Sequence, residues 1–213
     1  MKLNIGNLFK RKEYQEVKIV DLGDNSQSKS EYKKENNDTS EGDVITCPKC
    51  NQIFDKKEIK DNLIKAISEE WMLVAAGDRE KYNMMTASWG FAGEMWGNDC
   101  MMTVIRPQRY TLEFINNSDY FTLSFYGDNK EIHKICGSKS GRDTDKTALT
   151  GLTPVFSDNT VYFEQARTVV ICKKQYVQQM SADCFIDKEP LRWYNDDFHY
   201  MIIGKIEKVL VKE

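Results

Sequence analysis

From Trp71 onward, short apolar runs alternate with turn residues. Trp71–Ala76 is apolar and closes on Gly77-Asp78, which predicts a strand followed by a turn. Met84–Trp89 is a second run, ending in a Gly-containing loop that reaches Asn98-Asp99, and Cys100–Ile105 is a third. Tyr120–Tyr126 is aromatic and β-branched and stops at Gly127-Asp128. Gly151–Asn159 is rich in turn residues. Two strands are predicted after it, Thr160–Glu164 and Ala166–Lys173, the second running on through Tyr176. Phe198–Val211 alternates apolar and polar positions and predicts the last strand. Helical patterns are few. Pro107 suits the first turn of a helix lined by Tyr110, Leu112, Phe114 and Ile115 and ended by Asn116-Asn117. Asn129 is placed to cap Lys130–Cys136, with Ile132 and Ile135 on its buried side. Strands dominate, so the pattern predicts a mainly β domain, a barrel with a few short helices rather than a doubly wound parallel sheet.

Composition divides the chain near residue 60. Residues 21–43 hold almost nothing apolar and cannot bury enough surface to offset ordering entropy, which predicts a disordered linker. Before it, Leu3, Ile5, Leu8 and Phe9 form a short amphipathic piece, readable as a frayed terminus or as a docking segment. The expected organisation is an N-terminal extension, 1–60, carrying the linker and one C-x-x-C, and a folded domain, 61–213. The chain has 33 acidic and 30 basic side chains, so overall charge gives no footprint for nucleic acid. No apolar run approaches the ~18–20 residues of a membrane span, and no signal-peptide core follows the first basic residues. A cytoplasmic protein is expected, in which the six cysteines are reduced thiols or metal ligands rather than a disulfide framework.

Three segments place small polar and basic residues at predicted strand ends. They are Thr86-Ala87-Ser88-Trp89, the run from Arg106 through Gln108, Arg109 and Tyr110 to Thr111, and the loop Gly137–Lys146 with Ser138, Ser140, Arg142 and Lys146. The second and third suit a phosphate. Arginine offers a planar fork, hydroxyls add donors, and a helix start after Pro107 would point N–H groups at an anion. The third read alone is equally a polar surface loop, without the spacing of a P-loop or dinucleotide fingerprint. His133 and His199 form no catalytic arrangement and read as structural or surface residues. Trp89 and Trp96 read as core aromatics or as ring contacts.

Taken together, and in order, these segments resemble the flavin reductase-like family from about Asp61 to the end. The resemblance rests on Trp71–Asp78, Met85–Gly90, Ile105–Thr111, Tyr120–Phe125, Cys136–Lys146 and Gly151–Phe156. It implies an FMN-binding split β-barrel of Greek-key topology, a homodimer, and FMN in a cleft near the subunit interface. Thr86, Ala87, Ser88 and Trp89 match the segment along the isoalloxazine ring. Arg106, Gln108, Arg109, Tyr110 and Thr111 match the segment at the ribityl chain and phosphate. Ser138, Ser140, Arg142 and Lys146 match a loop closing over the same end. The flavin would carry the redox chemistry, with no dedicated acid or base needed and NAD(P)H as the co-substrate.

Cys47-Pro48-Lys49-Cys50 is half of a tetrahedral zinc site. Residues 47–63 resemble the zinc ribbon of the acetyl-CoA carboxylase carboxyltransferase β subunit, and 7–14 resemble its opening. The second C-x-x-C is missing, and the cysteines at 100, 136, 172 and 184 are scattered, with burial expected for each. Cys47 and Cys50 are thus a degenerate ribbon without metal, half of a zinc site shared between two chains, or a redox dithiol. The expected function is an FMN-dependent, NAD(P)H-using reductase. The alternatives are a flavoredoxin-like electron carrier serving a redox partner protein, or a binding module that has lost its flavin.

Overall fold

The computed structural model describes the backbone of Ile45–Thr46 and Ile53–Lys56, residue Ile59, and residues 61–157 and 160–212. The expected linker, the amphipathic start, and Cys47 and Cys50 lie outside the described residues.

Among the described residues, nine strands form one antiparallel sheet. Along the chain come β1 (Ile45–Thr46), β2 (Ile53–Lys56), a short helix α1 (Leu63–Lys65) continuing into a π turn (Ala66–Glu70), then β3 (Met72–Gly77) and β4 (Tyr82–Ala87). There follow β5 (Gly90–Met95), β6 (Asn98–Ile105), α2 (Thr111–Asn116), β7 (Tyr120–Phe125), α3 (Lys130–Ser138) and α4 (Lys146–Thr150). β8 (Pro154–Ser157) and β9 (Thr160–Phe163) pair separately, and the long strands β10 (Thr168–Gln179) and β11 (Tyr200–Lys212) complete the sheet. The sheet runs β1-β2-β11-β10-β7-β3-β4, and β6 with its partner β5 branches from β11. β11 makes this branching possible. Its first half, Tyr200–Lys205, pairs with β6, and its last residues, Leu210–Lys212, pair with β2. β10 lies along its other edge throughout, with register shifts at Ile171/Cys172 and Lys174/Tyr176. Such shifts bend and twist a strand, which lets one long hairpin serve two parts of a barrel.

β3 shows why its sequence reads as a continuous apolar run. Met72, Val74 and Ala76 face one core, with Met101, Ile105, Phe121 and Ile202. Leu73 and Ala75 face a second, with Cys136, Leu152, Val161 and Phe163. A strand buried on both faces loses the alternation of a half-exposed one.

Several elements depart from expectation. Residues 90–99 form a hairpin, not a loop, turning at Trp96-Gly97 with φ of 55° and 70°. The helix after Pro107 starts only at Thr111, because Arg106–Arg109 forms a turn closed by the Arg109 N–H on the Arg106 carbonyl (3.1 Å). Asn129 makes no side-chain cap on α3. The last strand begins at Tyr200, and α4 and β8 occupy the stretch 146–157, part of which reads as turn. Cys184 is exposed, unlike Cys100, Cys136 and Cys172. No helix among the described residues is long and apolar enough to cross a membrane.

Candidate active site

The end of β4, the turn after β6 and the α3–α4 loop converge on two adjoining hollows. The first, about 180 Å³, is lined by Thr86, Ala87, Ser88, Trp89, Arg106, Arg109, Trp193 and His199, among others. The second, about 130 Å³, is lined by Gln108, Arg109, Tyr110, Thr111, Ser138, Ser140 and Lys146, among others. Met85 and Arg109 line both, so the two make one groove with an aromatic end and a hydroxyl-rich end. No Asp or Glu lines either hollow.

The three predicted segments therefore meet, but their side chains have different jobs. Arg109 donates to the Gly137 carbonyl (3.0 Å), which joins the β6–α2 turn to the end of α3 and leaves further guanidinium N–H groups at the groove. Ser138 donates to the Lys134 carbonyl (2.7 Å), and Ser140 accepts from the Arg142 N–H (3.2 Å). Thr111 is buried and accepts from the Asn83 side chain (3.0 Å), which pins α2 to β4. Lys146 is buried and donates to the Met84 carbonyl (2.7 Å) and the Cys136 carbonyl (3.2 Å). Burial pushes its pKa down. Burial also pushes the neighbouring Cys136 thiol up to about 11. Arg142 stands apart from both hollows. It pairs with Glu113 and lies 4.4 Å from the Tyr110 ring centroid.

Arg106 and Gln108 turn toward a segment that sequence reasoning missed. Residues 180–199 form a strap between β10 and β11, closed at its base by the Met180 N–H on the His199 carbonyl (2.9 Å). Arg106 pairs with Asp197 and donates to the Trp193 carbonyl (2.7 Å). Gln108 donates to the same Asp197 (3.0 Å). The Asn195 N–H, Gln108 and Arg106 together hold the Asp197 carboxyl well below the usual range. The strap has its own aromatic filling, with Tyr194 stacked on Phe198 at 4.7 Å and Phe185 beside both. No period marks this irregular segment, so its only sequence signal was its aromatic content.

Both histidines are buried next to the groove, not at the surface. His199 lies 5.2 Å from the Trp89 ring, with Nδ1 3.0 Å from the Tyr194 hydroxyl. Burial and the Arg106 charge push its pKa down to about 4. His133 sits behind β4. Thr86 donates its hydroxyl to the His133 carbonyl (2.8 Å), while His133 Nδ1 lies 3.3 Å from the Thr86 hydroxyl oxygen. The Thr86 proton being spent, Nδ1 must be the donor in that contact. Nε2 is then a bare acceptor, buried and without a partner among the described residues. Burial, then the Lys130 charge, push this ring down to about 4 as well. Both imidazoles are neutral near pH 7.

An acid-free groove with hydroxyls at one end, indole rings at the other and the Arg109 guanidinium where they join fits a flat ring carrying a phosphate. No group of three or more His, Cys, Asp or Glu among the described residues could hold a metal.

Residues 64–213 match the flavin reductase like domain, and the chain belongs to that family. Solved structures share its split-barrel fold. The flavoredoxin of Desulfovibrio vulgaris (Miyazaki F) is 23% identical, with a TM-score of 0.54 over 74% of this chain and 77% of its own. The flavoredoxin from Methanosarcina acetivorans is 18% identical, with a TM-score of 0.55 over 74% and 76%. The FMN-binding domain of a flavin reductases-like enzyme from Shewanella baltica OS155 is 18% identical, with a TM-score of 0.52 over 71% and 75%. No curated protein matches the sequence.

Proposed function

We propose that the groove binds FMN and that the chain is an oxidoreductase drawing electrons from NAD(P)H. The observation that carries this reading is the polarity of the groove, with Ser138 and Ser140 at one end, Trp89 at the other, Arg109 where the two hollows join, and no carboxylate in the lining. In this reading Arg109 and the Ser140 hydroxyl hold the phosphate, Ser138 donating instead to the Lys134 carbonyl, and Thr86–Trp89 flank the ring. Trp89 and the neutral His199 give the ring end an aromatic wall. Lys146 acts indirectly, tying β4 to α3 so that the two walls of the groove keep their spacing. Bound flavin supplies hydride acceptance and onward electron transfer.

The chain acts as a homodimer in this reading. Ile64 is 82% exposed and Phe91 is 69% exposed. They line an apolar hollow of about 810 Å³ between α1 and β5 that also reaches Ser88 and Trp89. An exposed apolar face of this kind suits a second copy. A second functional reading, an electron carrier for a partner protein, is favoured by the exposure of Trp89 and Trp193 at the ring end.

An absorption spectrum of the purified protein, reconstituted with FMN and kept anaerobic, tests these readings. Flavin bands that bleach on adding NADH or NADPH support the reductase. Bands that bleach only with dithionite support the carrier. No bound flavin removes both.

A further inference from the structure

The strap 180–199 presents Trp193 to the groove in a way its own packing does not require. The Trp193 ring is 55% exposed and meets Trp89, itself 42% exposed, edge to face at 6.0 Å. The backbone beneath it is held firmly. The Trp193 carbonyl accepts from Arg106 (2.7 Å), and Asp197 is fixed by Arg106, Gln108 and the Asn195 N–H. The strap's interior is filled by Phe185, Tyr194 and Phe198, not by Trp193. A large apolar ring left open to solvent on a fixed support is preorganised for a ligand.

We propose that Trp193, facing Trp89 and His199 across the ring end of the groove, is a specificity-determining residue that stacks on a flat aromatic second ligand, neutral or anionic. Arg106 and Gln108 act in this arrangement as the latch that sets the height of Trp193 through Asp197, in place of the phosphate contacts expected of them. Flatness is selected because an indole face accepts a ring at van der Waals distance and holds a puckered ring less well. Anions are tolerated because no carboxylate lines the hollow. The proposal rests on the FMN reading of the groove.

The test is calorimetric titration of the FMN-loaded full chain with 2-naphthoate and with its saturated counterpart, decahydro-2-naphthoate. The two match in charge and differ in flatness. FMN affinity is measured in parallel by flavin fluorescence. Wild type is expected to prefer naphthoate about tenfold, roughly the worth of one stacking contact. Trp193→Ala loses that preference, Trp193→Phe keeps most of it, and Asp197→Asn reduces it. FMN affinity is read in each variant, and a loss of naphthoate preference larger than any loss of FMN marks Trp193 as the second ligand's contact. Equal affinity for both probes in wild type overturns the proposal. So does a preference that survives Trp193→Ala, or a parallel loss of FMN and naphthoate, which would make Trp193 a flavin contact. If wild type takes up no FMN, the FMN reading fails by itself. The same titration on the flavin-free chain then decides the slot, with a Trp193-dependent preference supporting it and none overturning it.

Discussion

His133 is buried, with no partner for Nε2 among the described residues and its ring edge-on to Trp71 at 5.9 Å. Its pKa of about 4 in the folded chain lies below the ordinary 6.5. The sign of the linkage follows. Below pH 6.5 the unfolded chain takes up a proton that the folded chain refuses, so stability falls as pH drops from about 6.5 toward 4. The cost is about 3 kcal/mol once both forms are protonated. Urea denaturation between pH 7.5 and 4.5 should show this slope, and His133→Gln should flatten it partly, since His199 is depressed in the same way. A variant with the wild-type slope would contradict the assignment. Lys146 illustrates what was legible at this scale. Its place near the groove could be read from the polar loop, but its engagement by the Met84 and Cys136 carbonyls depends on α4, which a five-residue helix signals too weakly. Arg106 is the same case. Its residue type pointed to an anion, and within the chain it pairs with Asp197, distant in sequence.

At the level of elements, the α1 segment is fastened to the barrel by Arg167. Its guanidinium meets Glu70 through two bonds (2.9 and 2.6 Å) and Asp61 through a third (2.8 Å), while Glu70 also accepts from the Gly127 N–H (3.0 Å). Forked geometry with partial burial lifts such a pair above an isolated surface bridge. A double-mutant cycle with Glu70→Gln and Arg167→Met, followed by chemical denaturation, should give a coupling of about 1–2 kcal/mol. A coupling near zero would show that the clamp adds nothing. Strands carrying core residues, β3, β6, β7 and β11, were readable because burial imposes a pattern on them. β5 was not. Phe91 and Met95 are exposed, so its residues follow no inward face, and its two-residue turn holds Trp96 in a left-handed conformation where glycine or asparagine is the usual signal.

For the whole molecule, the exposed face built by Ile64 and Phe91 and the groove are neighbours through Ser88 and Trp89. Phe91→Glu should therefore convert a dimer to a monomer in sedimentation velocity and weaken FMN at the same time. A monomeric wild type would contradict the dimer reading. The central claim concerns the groove's polarity. It is tested most directly by equilibrium titration of the wild-type chain and Arg109→Ala with FMN and with riboflavin, which lacks the phosphate. The account predicts that wild type binds FMN more tightly than riboflavin by about tenfold or more, the worth of a charge-assisted contact. It also predicts that Arg109→Ala removes most of that difference while leaving riboflavin affinity nearly unchanged. Equal affinity of wild type for the two flavins, or a difference that Arg109→Ala leaves intact, would contradict it.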